Sequence, residues 1–197
     1  MMSLREAKVH RKTLETEIHV TLALNGSGKA DLDTGIPFLE HMLTLFARHG
    51  FFDLTVRARG DLEVDYHHTV EDLGLCLGEA FLQALGDKAG IRRYGSFLLP
   101  MDDSLVLTAV DLSGRPYLGL DFPLRAERIG TFDLELVPEF LRAFSTRGAF
   151  TLHVRRLAGE NNHHLVEALF KGLGRAMAEA CSQDPRGRGI PSTKGVL

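Results

Sequence analysis

The chain repeats itself, and that constrains its fold more than any other feature. Residues His41–Arg57 (HMLTLFARHGFFDLTVR) align without gaps on Glu139–Arg155 (EFLRAFSTRGAFTLHVR), and seven of the 17 positions are identical. Residues His67–Gln83 (HHTVEDLGLCLGEAFLQ) align on His163–Glu179 (HHLVEALFKGLGRAMAE) with eight identities in 17, including both histidines and the glutamate after them. Ordinary composition gives about one match in such a window. A duplicated chain builds one supersecondary unit twice and buries the two copies against each other.

Each half reads alike. Residues near 13–24 and 104–112 are β-rich, and Ile18, Val20, Leu22 and Leu24 alternate with polar neighbours. The Asn25-Gly26-Ser27-Gly28 and Ser113-Gly114-Arg115-Pro116 runs predict hairpin turns. A helix is expected over Ile36–His49 and Leu134–Thr146, with Gly50 and Gly148 as C-terminal caps. A strand follows (Asp53–Arg59 or Thr151–Leu157), then a second helix (His67–Leu85 or His163–Cys181) with apolar residues at helical spacing. The expected fold is therefore α+β: duplicated β-β-α-β-α halves, two sheets, and helices layered between them. The 197 residues then form a single domain of two repeats, about 5–88 and 89–190, with a tail over 190–197.

Composition narrows the partners. A formal net charge of −3 with no block of like charge argues against nucleic acid. No apolar run approaches the roughly 18 residues of a membrane span. The charged segment Met1–His10 does not read as a secretory signal. Cys76 and Cys181 are the two cysteines, form no CxxC pair, and fit buried free thiols in a reducing cytoplasm.

The chemistry sits in the repeated His-His-x-x-Glu. On a helix, His67 and Glu71 share a face, as do His163 and Glu167, whereas His68 and His164 point about 100° away. One arrangement gives a first metal His67, Glu71 and the crossing His164, and a second metal His163, Glu167 and the crossing His68. His41 aligns with Glu139 in the repeat; His41 is expected to complete the first metal and Glu139 the second. Such thiol-free nitrogen and oxygen ligands suit manganese or iron better than structural zinc. The same constellation would also serve a dimetal hydrolase or a metal-storing assembly. Ferritin-like proteins, however, use the reversed Glu-x-x-His order on long helices.

The segments LDTGIPFLEHM, ARHGFFDL, DYHHTVEDLGLCLGEA, LHVRRLAGENNHHLVEALFKGLGRAM and IPSTKG together resemble the imidazoleglycerol-phosphate dehydratase family over nearly the whole chain. The resemblance implies two-layer halves of the ribosomal protein S5 domain 2-like kind. It implies two Mn2+ ions per active site, which bind the substrate's ring as imidazolate. It also implies a homo-oligomer, a 24-mer built from trimers with sites between subunits. The implied reaction dehydrates D-erythro-imidazole glycerol phosphate to imidazole acetol phosphate in histidine biosynthesis. Glu167, Glu15 and His49 are the implied catalytic candidates. Glu15, Arg93, Arg115, Lys171, Ser192, Thr193 and Lys194 are the candidates for holding the phosphate-bearing substrate, because guanidinium, ammonium and hydroxyl groups bind phosphate oxygens. The chain departs from the family pattern twice: Glu139 stands where many relatives have histidine, and Leu45 where many have glutamine.

Overall fold

The structure is a computed structural model that describes residues 5–187 and 189–197. The first four residues of the Met1–His10 segment, and residue 188, lie outside the described residues. The first half runs β1 (Glu6–Lys12), β2 (Thr16–Ala23), β3 (Ala30–Asp33), α1 (Pro37–Gly50), β4 (Asp53–Gly60) and α2 (His67–Leu85). The second runs β5 (Tyr94–Met101), β6 (Ser104–Asp111), β7 (Tyr117–Asp121), β8 (Arg128–Ile129), β9 (Phe132–Asp133), α3 (Leu136–Arg147), β10 (Thr151–Ala158) and α4 (Asn162–Cys181). Among the described residues no helix is long and apolar enough to cross a membrane.

Each half forms a four-stranded sheet, in the orders β1-β2-β4-β3 and β5-β6-β10-β7. In β2 the alternate residues Ile18, Val20 and Leu22 are buried, and in β6 Val106, Thr108 and Val110 are. Only one face of each sheet therefore meets the core. Each half has more strands than expected: β1 and β5 add an edge strand to each sheet, the second half also carries the short β8–β9 ribbon, and β3 lies parallel to β4 and β7 parallel to β10. β3 and β7 are the strands that the two glycine-containing turns were expected to reach as hairpin partners, but they pair with β4 and β10 instead. This pairing changes what the glycine-rich turns do. The chain at Asn25–Gly28 leaves β2 for a strand that β4 separates from it, and the same holds after β6. The hairpins instead close at Thr13–Thr16, where the Thr13 N–H donates to the Thr16 carbonyl, and at Asp102–Asp103, where Asp102 takes a left-handed φ of 47°.

The halves interlock through their helices. α1 packs on α4 and α2 on α3, so every helix pair contains one member of each repeat. Phe46 and Phe144, equivalent in the duplication, meet edge to face at 6.1 Å. Both are fully buried, each worth roughly 2–3 kcal/mol of transfer free energy. Gly50 and Gly148 are not the left-handed caps; Phe51 (φ 56°) and Ala149 (φ 50°) take that conformation one residue later. The glycines are required by space, since a Cβ at Gly50 would lie 2.3 Å from the Phe52 ring and one at Gly148 2.5 Å from the Phe150 ring.

Candidate metal centre and anion cavity

α4 carries the best-formed cluster. Its N-terminus is capped by Asn161, whose side chain accepts from the N–H groups of His163 and His164. Helical spacing then stacks His163, Glu167 and Lys171 on one face. Glu167 Oε1 lies 3.0 Å from His163 Nε2 and 2.7 Å from His41 Nε2, while Lys171 Nζ donates to Oε2 at 2.7 Å. Burial opposes the carboxylate's charge, but hydrogen bonds from Lys171, His41 and His163 prevail and hold its pKa at about 2. Glu167 is buried, yet the His41 and His163 side chains are 48% and 43% exposed, so the cluster opens onto the surface. Two imidazole nitrogens and a carboxylate, with no thiol, are a donor set that fits a divalent manganese-type ion.

The grouping differs from the expected one. His41 joins His163 and Glu167, not His67 and Glu71, because α1 packs on α4 instead of on its own half's second helix. By the duplication Glu139, the counterpart of His41 on α3, belongs beside His67 and Glu71 on α2, and α3 does pack on α2. Among the described residues, however, these three do not close into a cluster. Glu139 is half-buried and lies 3.7 Å from Arg142, a helical neighbour. Glu139→Ala is expected to lower metal occupancy at the His67 and Glu71 site, Glu139→His to retain it, and Glu139→Gln to fall between. Metal analysis of the three variants by mass spectrometry checks this, and full occupancy in the alanine variant would remove Glu139 from the ligands.

His68 and His164 turn away from the same-helix pairs, as the 100° rotation requires. His68 Nδ1 lies 2.9 Å from Asp61 and 3.7 Å from Glu15, the residue at the β1–β2 hairpin tip. His164 Nδ1 lies 2.9 Å from Asp103 in the β5–β6 hairpin. The hydrogen bond that Asp61 accepts from the His68 ring raises the His68 pKa, and the one that Asp103 accepts from His164 lowers that of Asp103. The sequence reading missed Asp61 and Asp103, since an aspartate in a turn looks solvated until the fold sets it against a ring.

His49 lies two turns beyond His41 on α1, with the half-buried Leu45 between them, so the three share one side of the helix. Burial lowers its pKa, as do the charges of Arg175, Lys171 and Arg48, so its imidazole is neutral at pH 7. A third group, His10, Glu17 and His19, lies on β1 and β2. Its two rings stack within 4° of parallel, so their lone pairs run side by side instead of converging, and Lys12 already neutralises Glu17 at 2.9 Å.

The substrate-binding candidates divide into three places. Arg93, Arg115, Ser192, Thr193 and Lys194 line one cavity of about 580 Å³ with Tyr94 and the C-terminal residues. Lys171 sits with Glu167, and Glu15 with His68. Arg93 N–H bonds the Ala180 carbonyl near the end of α4. The cavity's edge is therefore roughly 20 Å from Glu167, at 1.5 Å per helical residue. The Arg93 guanidinium is already engaged, with two of its three nitrogens on Asp111 (2.7 and 3.2 Å) and the third on the Pro191 carbonyl (2.9 Å). It orders the tail as well as supplying charge. Arg115→Ala and Lys194→Ala are thus the cleaner tests. Each is expected to weaken binding of a phosphate-bearing ligand about ten- to over a hundredfold, the loss of one charge-assisted hydrogen bond, with metal content unchanged. Isothermal titration reads the first and mass spectrometry the second, and unaltered affinity would remove that residue from the cavity's function.

Fold and site together define an internally duplicated α+β protein whose interlocked halves present paired histidine–carboxylate groups. Comparison with known proteins makes the assignment specific. The family model for imidazoleglycerol-phosphate dehydratase matches residues 34–177. The imidazoleglycerol-phosphate dehydratase of Desulforudis audaxviator is 60% identical, with 100% of both chains covered. That of Thermoanaerobacter pseudethanolicus is 58% identical over 98% of this chain and 100% of the relative. The crystal structure of the Staphylococcus aureus enzyme superposes with a TM-score of 0.83 at 37% identity, covering 91% of this chain and 99% of that one. The Pyrococcus furiosus structure, a complex with (S)-C348, gives 0.84 at 39% identity over 96% and 100%. The chain belongs to the imidazoleglycerol-phosphate dehydratase family, hydro-lyases of histidine biosynthesis.

Proposed function

We propose that this chain dehydrates D-erythro-imidazole glycerol phosphate to imidazole acetol phosphate in the cytoplasm, with two manganese ions at each site and each site shared between copies of an octahedral, trimer-based assembly. The observation that carries the reading is the separation along α4. The histidine–glutamate cluster opens to solvent at one end, and the anion cavity adjoins the other, roughly 20 Å away. A substrate whose ring and phosphate are joined by three carbons and an ester oxygen spans well under 10 Å at about 1.5 Å per bond. One copy cannot offer it both ends, whereas a neighbour's cavity laid over the open cluster can.

Bound manganese would supply Lewis acidity that stabilises the ring as imidazolate and would fix the ring's orientation. The protein's own groups do the rest. Glu167 is held ionised by Lys171 and two histidines, which suits a ligand and makes it a weak base. Glu15, exposed at its hairpin tip beside His68, is the freer carboxylate to take the proton from the carbon next to the ring. His49, neutral and beside the Glu167–Lys171 face, can relay a proton to the departing hydroxyl by accepting one from solvent on one ring nitrogen as it gives up the one on the other. Arg115, Lys194 and the tail hydroxyls hold the phosphate and set the chain's direction.

The test is direct conversion. Metal-free protein is expected to be inactive, and manganese added back is expected to restore loss of water from the substrate more fully than other divalent ions, without release of inorganic phosphate. Full activity after confirmed metal removal would overturn the metal reading, and phosphate release would make the chain a hydrolase.

A further inference from the structure

The two repeats share a contact that the duplication does not explain. His68 and His164 are equivalent residues, and each ring has its Nδ1 at 2.9 Å from an aspartate oxygen. The aspartates are not equivalent. Asp61 lies in the β4–α2 connection, seven residues before its histidine, whereas Asp103 comes from the β5–β6 hairpin, 61 residues before His164. If the carboxylates were incidental, two divergent halves would not be expected to reach the same geometry from different elements.

Asp61 adds a second observation. Its other oxygen, Oδ1, is buried and has no hydrogen-bond partner among the described residues. Holding a carboxylate with one oxygen dry and unbonded is unfavourable, and a group kept that way calls for an explanation. The described contacts of Asp61 offer one use, the His68 ring. Asp103, by contrast, also accepts from the Glu160 and Asn161 N–H groups at 2.6 and 3.1 Å. It therefore ties its hairpin to the start of α4 as well as holding a ring.

We infer that Asp61 and Asp103 are positioning residues. Each accepts the Nδ1–H of its histidine, and so favours the tautomer whose Nε2 carries the lone pair for a metal; at His164 that nitrogen has Asp102 Oδ2 at 3.8 Å, a further carboxylate beside the same position. This rests on the proposed metal chemistry, in which His68 and His164 act as ligands. A carboxylate behind a ligating imidazole fixes its orientation and raises its basicity, and losing such a partner costs roughly 10–100-fold in metal affinity.

Asp61 gives the clean test, because the structure shows no backbone group depending on it. Manganese affinity is measured by chelator competition on wild type, Asp61→Ala and Asp61→Asn, with the melting temperature of each metal-free protein as a check on folding. Asp61→Ala is expected to bind manganese 10–100-fold more weakly, with a melting temperature at or above that of wild type, since an unfavourable buried oxygen has gone. Asp61→Asn keeps an acceptor without the charge and should recover part of the affinity. Wild-type affinity in both variants would overturn the inference, as would a loss in both that merely tracks a lowered melting temperature. A wild-type protein that binds no manganese would instead overturn the metal reading beneath it.

Discussion

Replacing Glu167 by alanine is expected to abolish activity, a loss of at least about 10³-fold, equivalent to roughly 4 kcal/mol of barrier, in a protein that still folds. Its carboxylate is the point on which His41, His163 and Lys171 converge, and without it the three groups from two helices lose their shared partner. Metal content at that cluster should fall with activity. Glu167→Gln tests the charge alone, since the amide keeps the shape and an oxygen but is a poor ligand for a divalent ion, so activity should be lost again. The metal-free proteins should also differ in their response to acid. The folded-state pKa of Glu167, about 2, lies below its ordinary value of 4.5. The stability it contributes is therefore present above pH 4.5 and lost as the pH falls towards 2. At most this is about 3 kcal/mol, reduced by water at the half-exposed histidines. Thermal melts of metal-free wild type and Glu167→Gln should show wild type ahead at pH 6 and the two converging below pH 4.5. A constant gap would mean that the carboxylate is not paired as the structure has it, and an active alanine variant would remove Glu167 from the chemistry.

What was legible in the sequence follows the physics of each signal. The four long helices and the strands β4 and β10 were read within a residue or two, because their apolar residues recur at the periods that burial on one face imposes. The helix α2 begins and ends where the spacing put it. The strands β1 and β5 were not legible, since their mostly exposed side chains carry no clean period to read. Asn25–Gly28 looked like a hairpin because its turn chemistry is local, and the strand it leads to is placed by the parallel pairing with β4. His41 was read as a site residue from the repeat, but its partners were not, because nothing in the linear pattern says that α1 crosses to α4. Asp61 and Asp103 were invisible for a related reason, their meaning arising only where a turn meets a histidine.

The separation between cluster and cavity leads to the second large effect. Glu167→Ala should spoil the metal end of a site, and the Arg115→Ala/Lys194→Ala double variant the phosphate end. Each is expected to be nearly inactive alone at low substrate. Within one chain the two lesions lie at opposite ends of α4, and a site composed of one copy's cluster and another's cavity samples them independently. Random co-assembly of equal amounts then leaves about a quarter of the sites with both ends intact. The measurement is the dehydration rate of co-expressed variants, with mixed particles verified by native mass spectrometry and compared with the separately purified parents. The shared-site account predicts about a quarter of wild-type activity in the mixed particles, and verified mixed particles no more active than the sum of their parents would contradict it.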